Sequence, residues 1–320
     1  MVDVICLGAS VVDVPLQPVD KKVFKSESYP LENISLTTGG DALNEATIIS
    51  RLGSKVKLIS MVGNDIAGKF ILNHCRNNLI DIDGITVKDG INTSINIGLV
   101  AHDGERTFIT SKNGSLWKTT IDDLNLDLIK DAKILSYGSF FNNPLLRDEE
   151  LVKILSRAKQ QNMIITADMI KPRNNETFDD IKNSLKLVDF FFPNIDEARL
   201  MTNKNDINEI ADDILSYGVK CVVIKIDSKG AYIKNESGFK AVIPAMHGIT
   251  AIDTIGAGDN FASGFITGLV EGLSIKECTQ MANVAAGISI QSLGATSGIK
   301  TRKQFNENLN RYFIQEGEKN

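Results

Sequence analysis

Apolar runs and stretches of helical period alternate along most of the chain. VDVICLGAS (2–10) is a short apolar run closing on Gly-Ala-Ser, the pattern of a buried opening strand. In TTGGDALNEATIISRLG (37–53), Ala42, Leu43, Ala46, Ile49 and Leu52 share one helical face and Gly53 stops the helix. VKLISMVG (56–63) predicts a strand and KFILNHCRNNL (69–79) a helix. AKILSYGS predicts a strand, DEELVKILSRAKQQN a helix, MIITADM a strand and TFDDIKNSLKLV a helix. DFFFPN (189–194) follows as a strand, DEARLMT as a helix start, NEIADDILSYG as a helix and KCVVIKI (220–226) as a strand. ASGFITGLVEGL (262–273) and KECTQMANVAAGISIQSLG (276–294) close the pattern as helices. Strands alternating with helices of about 10–15 residues build a mostly parallel sheet covered on both faces, a three-layer, doubly wound α/β fold.

Two stretches break the alternation. In 11–38, Pro15, Pro18 and Pro30 interrupt short alternating runs, which fits edge strands or a flap. In 92–117, two β-rich runs flank His102-Asp103-Gly104-Glu105, whose Asp-Gly is a hairpin signal. Together they predict a small β lid over the C-terminal edge of the sheet, where open α/β sheets bind ligands. Neither stretch can bury both faces on one subunit, so each should close over ligand or pair with a second copy as a homodimer. With no repeat or low-complexity linker, residues 1–320 read as a single domain carrying this lid.

Of the 320 residues 42% are hydrophobic and 23% charged, which excludes a disordered chain. A net charge of −5 offers no electrostatic footprint for nucleic acid or an anionic membrane surface. Any phosphate must therefore be held locally, by backbone N–H groups and a few cations. Cys6, Cys75, Cys221 and Cys278 are widely spaced and form no metal-binding pattern with His74, His102 and His247, so reduced core thiols are expected. No signal-like segment and no run near 18 apolar residues occurs, so a cytoplasmic protein without a membrane span is expected.

The sharpest chemical signal is DTIGAGDNFASGF (253–265). Small residues directly before a helix let the backbone approach an anion, and the first amides of the helix point outward unpaired. Asp259 at that point reads either as an N-cap or as a base beside a phosphate cradle, taking a proton from an attacking hydroxyl. GNDIAGKF (63–70) fits most of a P-loop, but Phe70 stands where Ser or Thr must hold Mg2+, and no apolar strand ending in Asp presents itself clearly as its partner. Asn194 and Glu197 read as a capping box or as an amide and a carboxylate sharing a hydrated Mg2+.

DTIGAGD resembles the second signature of the ribokinase-like (PfkB) carbohydrate kinases. GGDALN (39–44), with Gly53 and GNDIAG (63–68), resembles the first, in the expected order and over nearly the whole chain. The resemblance implies a ribokinase-like fold and an ATP- and Mg2+-dependent kinase with Asp259 as base. It implies an anion hole from the amides of Gly256, Ala257 and Gly258, with Asn194 and Glu197 organising Mg2+ through water. The family's Thr-x-Gly-x-x-Gly is replaced by Lys225-Ile-Asp227-Ser-Lys-Gly230, keeping the loop over the nucleotide but changing its contacts, and Asn283 falls on the adenine side. A K+ site would come from Asp253, Ile255, Gly294 and Ser297, although the serine is displaced by one residue.

For the acceptor the resemblance points to Asp13, Gly39, Gly40 and Asn44. GGDALN is more similar to the form found in 2-keto-3-deoxygluconate kinases than to the GGKGAN of ribokinases. Arg106, Lys112, Lys171 and Arg173 sit at lid or strand-end positions where a cation would suit an acidic sugar. The expected reaction is phosphorylation of a keto sugar or sugar acid by ATP. A nucleoside or pseudouridine kinase is the alternative and would use the lid aromatics Phe24, Tyr29, Phe108 and Trp117 around a base. A regulator that binds sugar or nucleotide without catalysis is a second alternative, which the intact Asp259 and its glycines oppose.

Overall fold

The computed structural model describes residues 2–32, 34–101 and 106–317. Its strands are β1 (Val4–Leu7), β2 (Val11–Leu16), β3 (Thr37–Gly39), β4 (Val56–Gly63), β5 (Ile85–Lys88), β6 (Ile95–Val100), β7 (Arg106–Thr110), β8 (Ile134–Phe140), β9 (Ile164–Met169), β10 (Phe190–Phe191), β11 (Cys221–Lys225), β12 (Ala231–Asn235) and β13 (Lys240–Ile243). The helices are α1 (Asp41–Arg51), α2 (Ile66–Asn77), α3 (Ser115–Lys118), α4 (Asp148–Gln160), α5 (Lys182–Leu185), α6 (Ile195–Thr202), α7 (Ile207–Ser216), α8 (Ala257–Val270), α9 (Ile275–Ser289) and α10 (Arg302–Gly317). The main sheet runs β13-β12-β11-β10-β9-β8-β1-β4-β5. It is parallel except for the antiparallel pairs β11–β12 and β12–β13.

The side-chain period of two builds the layers. Within β1, Val4 and Cys6 face the apolar layer under α1, α2, α8 and α9, while Ile5 and Leu7 face the layer under α4 to α7. All four are fully buried. A strand covered on both faces gains from a continuous apolar run, which is why VICL reads without alternation.

The second sheet, β3-β2-β6-β7, comes from the two segments that broke the sequence pattern. Asp13 pairs with Asn96, Asn96 with Thr110, and Gly98 with Phe108, so these side chains share one face of the sheet. Ile95 and Ile109 lie on the other face and are exposed. Residues 102–105, where a hairpin turn is expected, and the side chain of Arg106 fall outside the described residues.

Several elements depart from the expected ones. TFDDIKNSLKLV is a 3₁₀ turn at Phe178–Ile181 followed by one α turn, because Thr177 and Asp180 cap the first segment and Ile181 (φ −130°, ψ 15°) leaves helical geometry between them. α9 ends at Ser289, short of residue 294, where Gly294 has φ +85°. β12, β13 and α10 were not anticipated. The P-loop reading of 63–70 is closed off physically: Asp65 accepts the Gly68 amide at 2.7 Å and occupies the start of α2 with its own negative charge. No helix among the described residues is long and apolar enough to cross a membrane.

Candidate active site

α1 and α8 both start at a glycine, and no side chain caps either of them. By contrast α2, α6, α7 and α9 are capped by Asp65, Asn194, Asp206 and Ser274. An uncapped start leaves first-turn amides and the positive end of the helix dipole for something outside the helix. Glycine is required at both places. Gly40 has φ +92°, and a Cβ there would meet Ala9 O at 2.5 Å; Gly256 has φ +73°, and a Cβ would meet Ala295 Cβ at 2.5 Å. Of the amides expected in the anion hole, that of Ala257 donates to Thr254 O at 3.3 Å. The amides of Gly256 and Gly258 have no acceptor among the described residues and remain the free donors of the three.

Two cavities, of about 670 and 580 Å³, meet at the start of α8 and share Asp41, Ala257, Gly258 and Asp259. The first is lined by Asn194, Glu197, Lys225, Asp227, Gly230 and Asn283. The second is lined by Asp13, Gly40, Asn44 and Arg173, with Asn96, Phe108 and Thr110 from the inner lid face. Residues expected around nucleotide and around acceptor thus occupy separate cavities, with Asp259 at the junction.

Asn44 Nδ2 donates to Asp259 Oδ2 at 2.7 Å, which fixes the carboxylate. Asp259 keeps part of its surface open to the cleft, while the protein around it withdraws bulk solvent. Burial, and then the nearby Asp41 charge, hold its carboxyl well above the usual range, outweighing the Asn44 bond. Asn44 Oδ1 is buried and has no hydrogen-bond partner among the described residues, and Asn44 lines the second cavity.

Lys225, the last residue of β11, donates to Asp168 Oδ2 at 2.5 Å. Its Nζ lies 3.2 Å from where a Gly258 Cβ would stand, so it points at the start of α8. Burial alone would lower its pKa, but the carboxylates of Asp168 and Glu197 overcome this and keep it charged. Asn194 and Glu197 do form a capping box: Asn194 Oδ1 accepts the Glu197 amide and Glu197 Oε2 accepts the Asn194 amide, both at 2.8 Å. The structural reading and the cleft-facing position therefore coexist. Burial pushes the Glu197 carboxyl up to about 7. Its Oε1 makes no hydrogen bond among the described residues, which suits an outer-sphere contact to a hydrated Mg2+.

Asp13 accepts from Asn96 Nδ2 at 3.1 Å, and burial raises its carboxyl to about 6. A Cβ on Gly39 would stand 1.8 Å from Asp13 Oδ2, so that glycine is what lets the carboxylate lie against β3. Asn283 Nδ2 donates to Ile243 O and Pro244 O, bracing the loop at the cavity wall. Asp227 takes φ +52°, a left-handed conformation glycine would adopt more easily. Asp253 accepts the amides of Ile255 and Gly294 at 2.9 and 2.8 Å, and Ser297 Oγ lies close to Gly294. This draws the two loops together, but with both carboxylate oxygens on amides a K+ there would rest on carbonyls and the Ser297 hydroxyl.

Of the four acceptor-side cations, Arg173 lines the cavity; Lys112 and Lys171 are exposed and do not. Sequence reading passed over Asp41, Asp168, Asn96 and Asn142. Asp41 had a signal, standing three residues before Asn44 on one helical face. Asp168 had a weaker one, standing one residue before the end of the apolar strand β9. Asn142 follows β8 and donates to Asp41 Oδ2 at 2.8 Å, a contact no local pattern announces.

A doubly wound sheet whose C-terminal edge carries two joined cavities, a cation and an uncapped helix start has the architecture of a small-molecule kinase. The chain belongs to the pfkB family of carbohydrate kinases, whose family model matches residues 1–302. It is 27% identical to the 2-dehydro-3-deoxygluconokinase of Bacillus subtilis over 286 residues, covering 86% of this chain and 87% of that one. It is 28% identical to the ribokinase of Haemophilus influenzae over 285 residues, covering 87% and 89%. The fold is ribokinase-like: the Arabidopsis thaliana ribokinase solved with ribose and ATP superposes with a TM-score of 0.80 at 21% identity, covering 96% and 98%.

Proposed function

We propose that this carbohydrate kinase transfers the γ-phosphoryl group of ATP to a hydroxyl of a keto sugar or sugar acid, with Asp259 as the base. The observation that carries the proposal is that the two cavities meet at the start of α8, where Asp259 stands on the first turn of the helix, held by Asn44. The acceptor oxygen attacks the γ-phosphorus in line, the bond to the β–γ bridging oxygen breaks, and the acceptor proton passes to Asp259. Asn44 holds the carboxylate in place for that transfer. The Gly258 amide and the Lys225 ammonium face the negative charge of the moving phosphoryl group. Mg2+ held through water near Glu197 would neutralise phosphate charge, and carbonyl-bound K+ near Asp253 would steady the loop before α8. Four free, buried cysteines fit a reducing cytoplasm.

Arg173 in the acceptor cavity favours an acidic sugar, as does the activity named for the Bacillus subtilis relative. ADP release measured with 2-dehydro-3-deoxygluconate, fructose, ribose and adenosine tests this. The acid or the ketose should exceed adenosine by at least about tenfold in kcat/KM. Adenosine as the best acceptor would establish the nucleoside kinase instead, and no acceptor-dependent release would leave a non-catalytic binder. The apolar outer face of the lid, with Ile95 and Ile109 exposed, supports a homodimer paired lid to lid. Light scattering that gives the mass of one chain at every concentration would contradict it.

A further inference from the structure

We infer that Trp117 is the positioning residue that sets where the Arg173 guanidinium stands in the acceptor cavity, and thereby governs discrimination between acidic and neutral acceptors. The inference rests on the reading of Arg173 as the cation that meets an acidic acceptor. Arg173 Cζ lies over the Trp117 ring, 5.0 Å from its centroid. Its only hydrogen bonds among the described residues go to Asn142, from Nη1 to the backbone O and from Nη2 to Oδ1, both long at 3.3 Å. No salt bridge ties it to a carboxylate among those residues, although the charges of Asp41 and Glu176 act on it from nearby. Asp41, the acid nearest in the cavity wall, is instead engaged by Asn142 Nδ2 at 2.8 Å. An acidic partner would orient the guanidinium but neutralise it; an aromatic face orients it and leaves the charge for a ligand.

The indole is itself well placed to act as a fixed platform. α3 is held to the chain before β6 by Ser94 N donating to Ser115 Oγ at 3.1 Å and Leu116 N donating to Ser94 Oγ at 2.9 Å. The ring packs on Ala9, Val11 and Leu116, where the lid joins the main sheet. Its Nε1–H donates to Thr110 Oγ1 at 3.2 Å, on the inner lid face that lines the same cavity. One side chain therefore ties the lid by its edge and the main-domain cation by its face. A lid that moved toward an acceptor would therefore carry the ring with it, and Arg173 with the ring.

Trp117 is the one tryptophan in the sequence, so indole emission reads this contact alone. Titrating the intact protein with 2-dehydro-3-deoxygluconate should change that emission, and the change should vanish in R173A. Trp117→Leu should lower the acid-to-fructose ratio of kcat/KM roughly tenfold, carried by KM for the acid, while Trp117→Phe, which keeps the ring face, stays within about threefold of wild type. If R173A loses the preference and W117L keeps it, the role of Trp117 is overturned and the reading of Arg173 stands. If R173A keeps the preference, or the wild type does not accept the acid, both fall. Should W117L fail to fold, the wild-type titration decides, and unchanged emission on binding the acid overturns the inference.

Discussion

Replacing Asp259 by Asn lowers kcat by about 10²- to 10⁴-fold, while nucleotide affinity and the melting temperature stay close to wild type. The expected separation comes from what the substitution keeps. An amide oxygen can still accept the 2.7 Å bond from Asn44 Nδ2, so the geometry at the start of α8 survives. What disappears is the capacity to take a proton. Nor does folding suffer, because burial already disfavours the charged carboxylate at this position. The sign follows from that direction: a carboxyl raised on folding favours the native state at acid pH and loses that contribution as pH rises through its folded pKa. D259N should therefore melt at least as high as wild type at alkaline pH and lack part of its pH dependence. A kcat within about threefold of wild type, measured by ADP release, would remove Asp259 from the base role.

Lys225→Met produces the second large effect, this time on both activity and stability. Among the described residues the ammonium is the sole Lys or Arg side chain lining that cavity, set against the carboxylates of Asp41, Asp168, Glu197 and Asp259. Its removal should lower kcat/KM for ATP by about 10²-fold, since a charge-assisted contact in a partly dry site is lost along with charge balance. It also strands Asp168, which is 5% exposed and whose Oδ2 then has no partner. Breaking a buried pair in this way costs about 3–5 kcal/mol. Burial already raises the Asp168 carboxyl, and loss of the ammonium raises it further, so K225M is least impaired at acid pH and weakens as pH rises through that value. Thermal melts from about pH 5 to pH 8 check the sign. A wild-type melting curve at both ends would contradict the buried-pair account.

The layered fold was legible because each core strand carries a run such as VICL or CVVIK, and each neighbouring helix a one-faced pattern such as that of α1. Prolines in 11–38 marked the first part of the lid, since they interrupt a two-sided core strand. Less legible were elements defined by tertiary partners. α10 has a weakly sided pattern and is anchored by Phe305 and Tyr312 in a small separate cluster. At the site, Asp259, Asn44, Lys225 and Arg173 were legible because glycines or strand ends announce them. Asn96 and Asn142 were not, because their meaning lies in Asp13 and Asp41, 83 and 101 residues away in the chain. Lys112 and Lys171 show the opposite limit: a cation near a strand end is not thereby turned toward the cavity.

Asp259 is expected to meet the acceptor hydroxyl where the two cavities join. A structure of the chain with a non-hydrolysable ATP analogue, Mg2+ and the best acceptor tests it most directly. The reacting hydroxyl should lie within about 3 Å of an Asp259 carboxylate oxygen and in line with the γ-phosphorus. An acceptor whose hydroxyls all lie beyond hydrogen-bond reach of Asp259, with the γ-phosphate directed away from the start of α8, would contradict it.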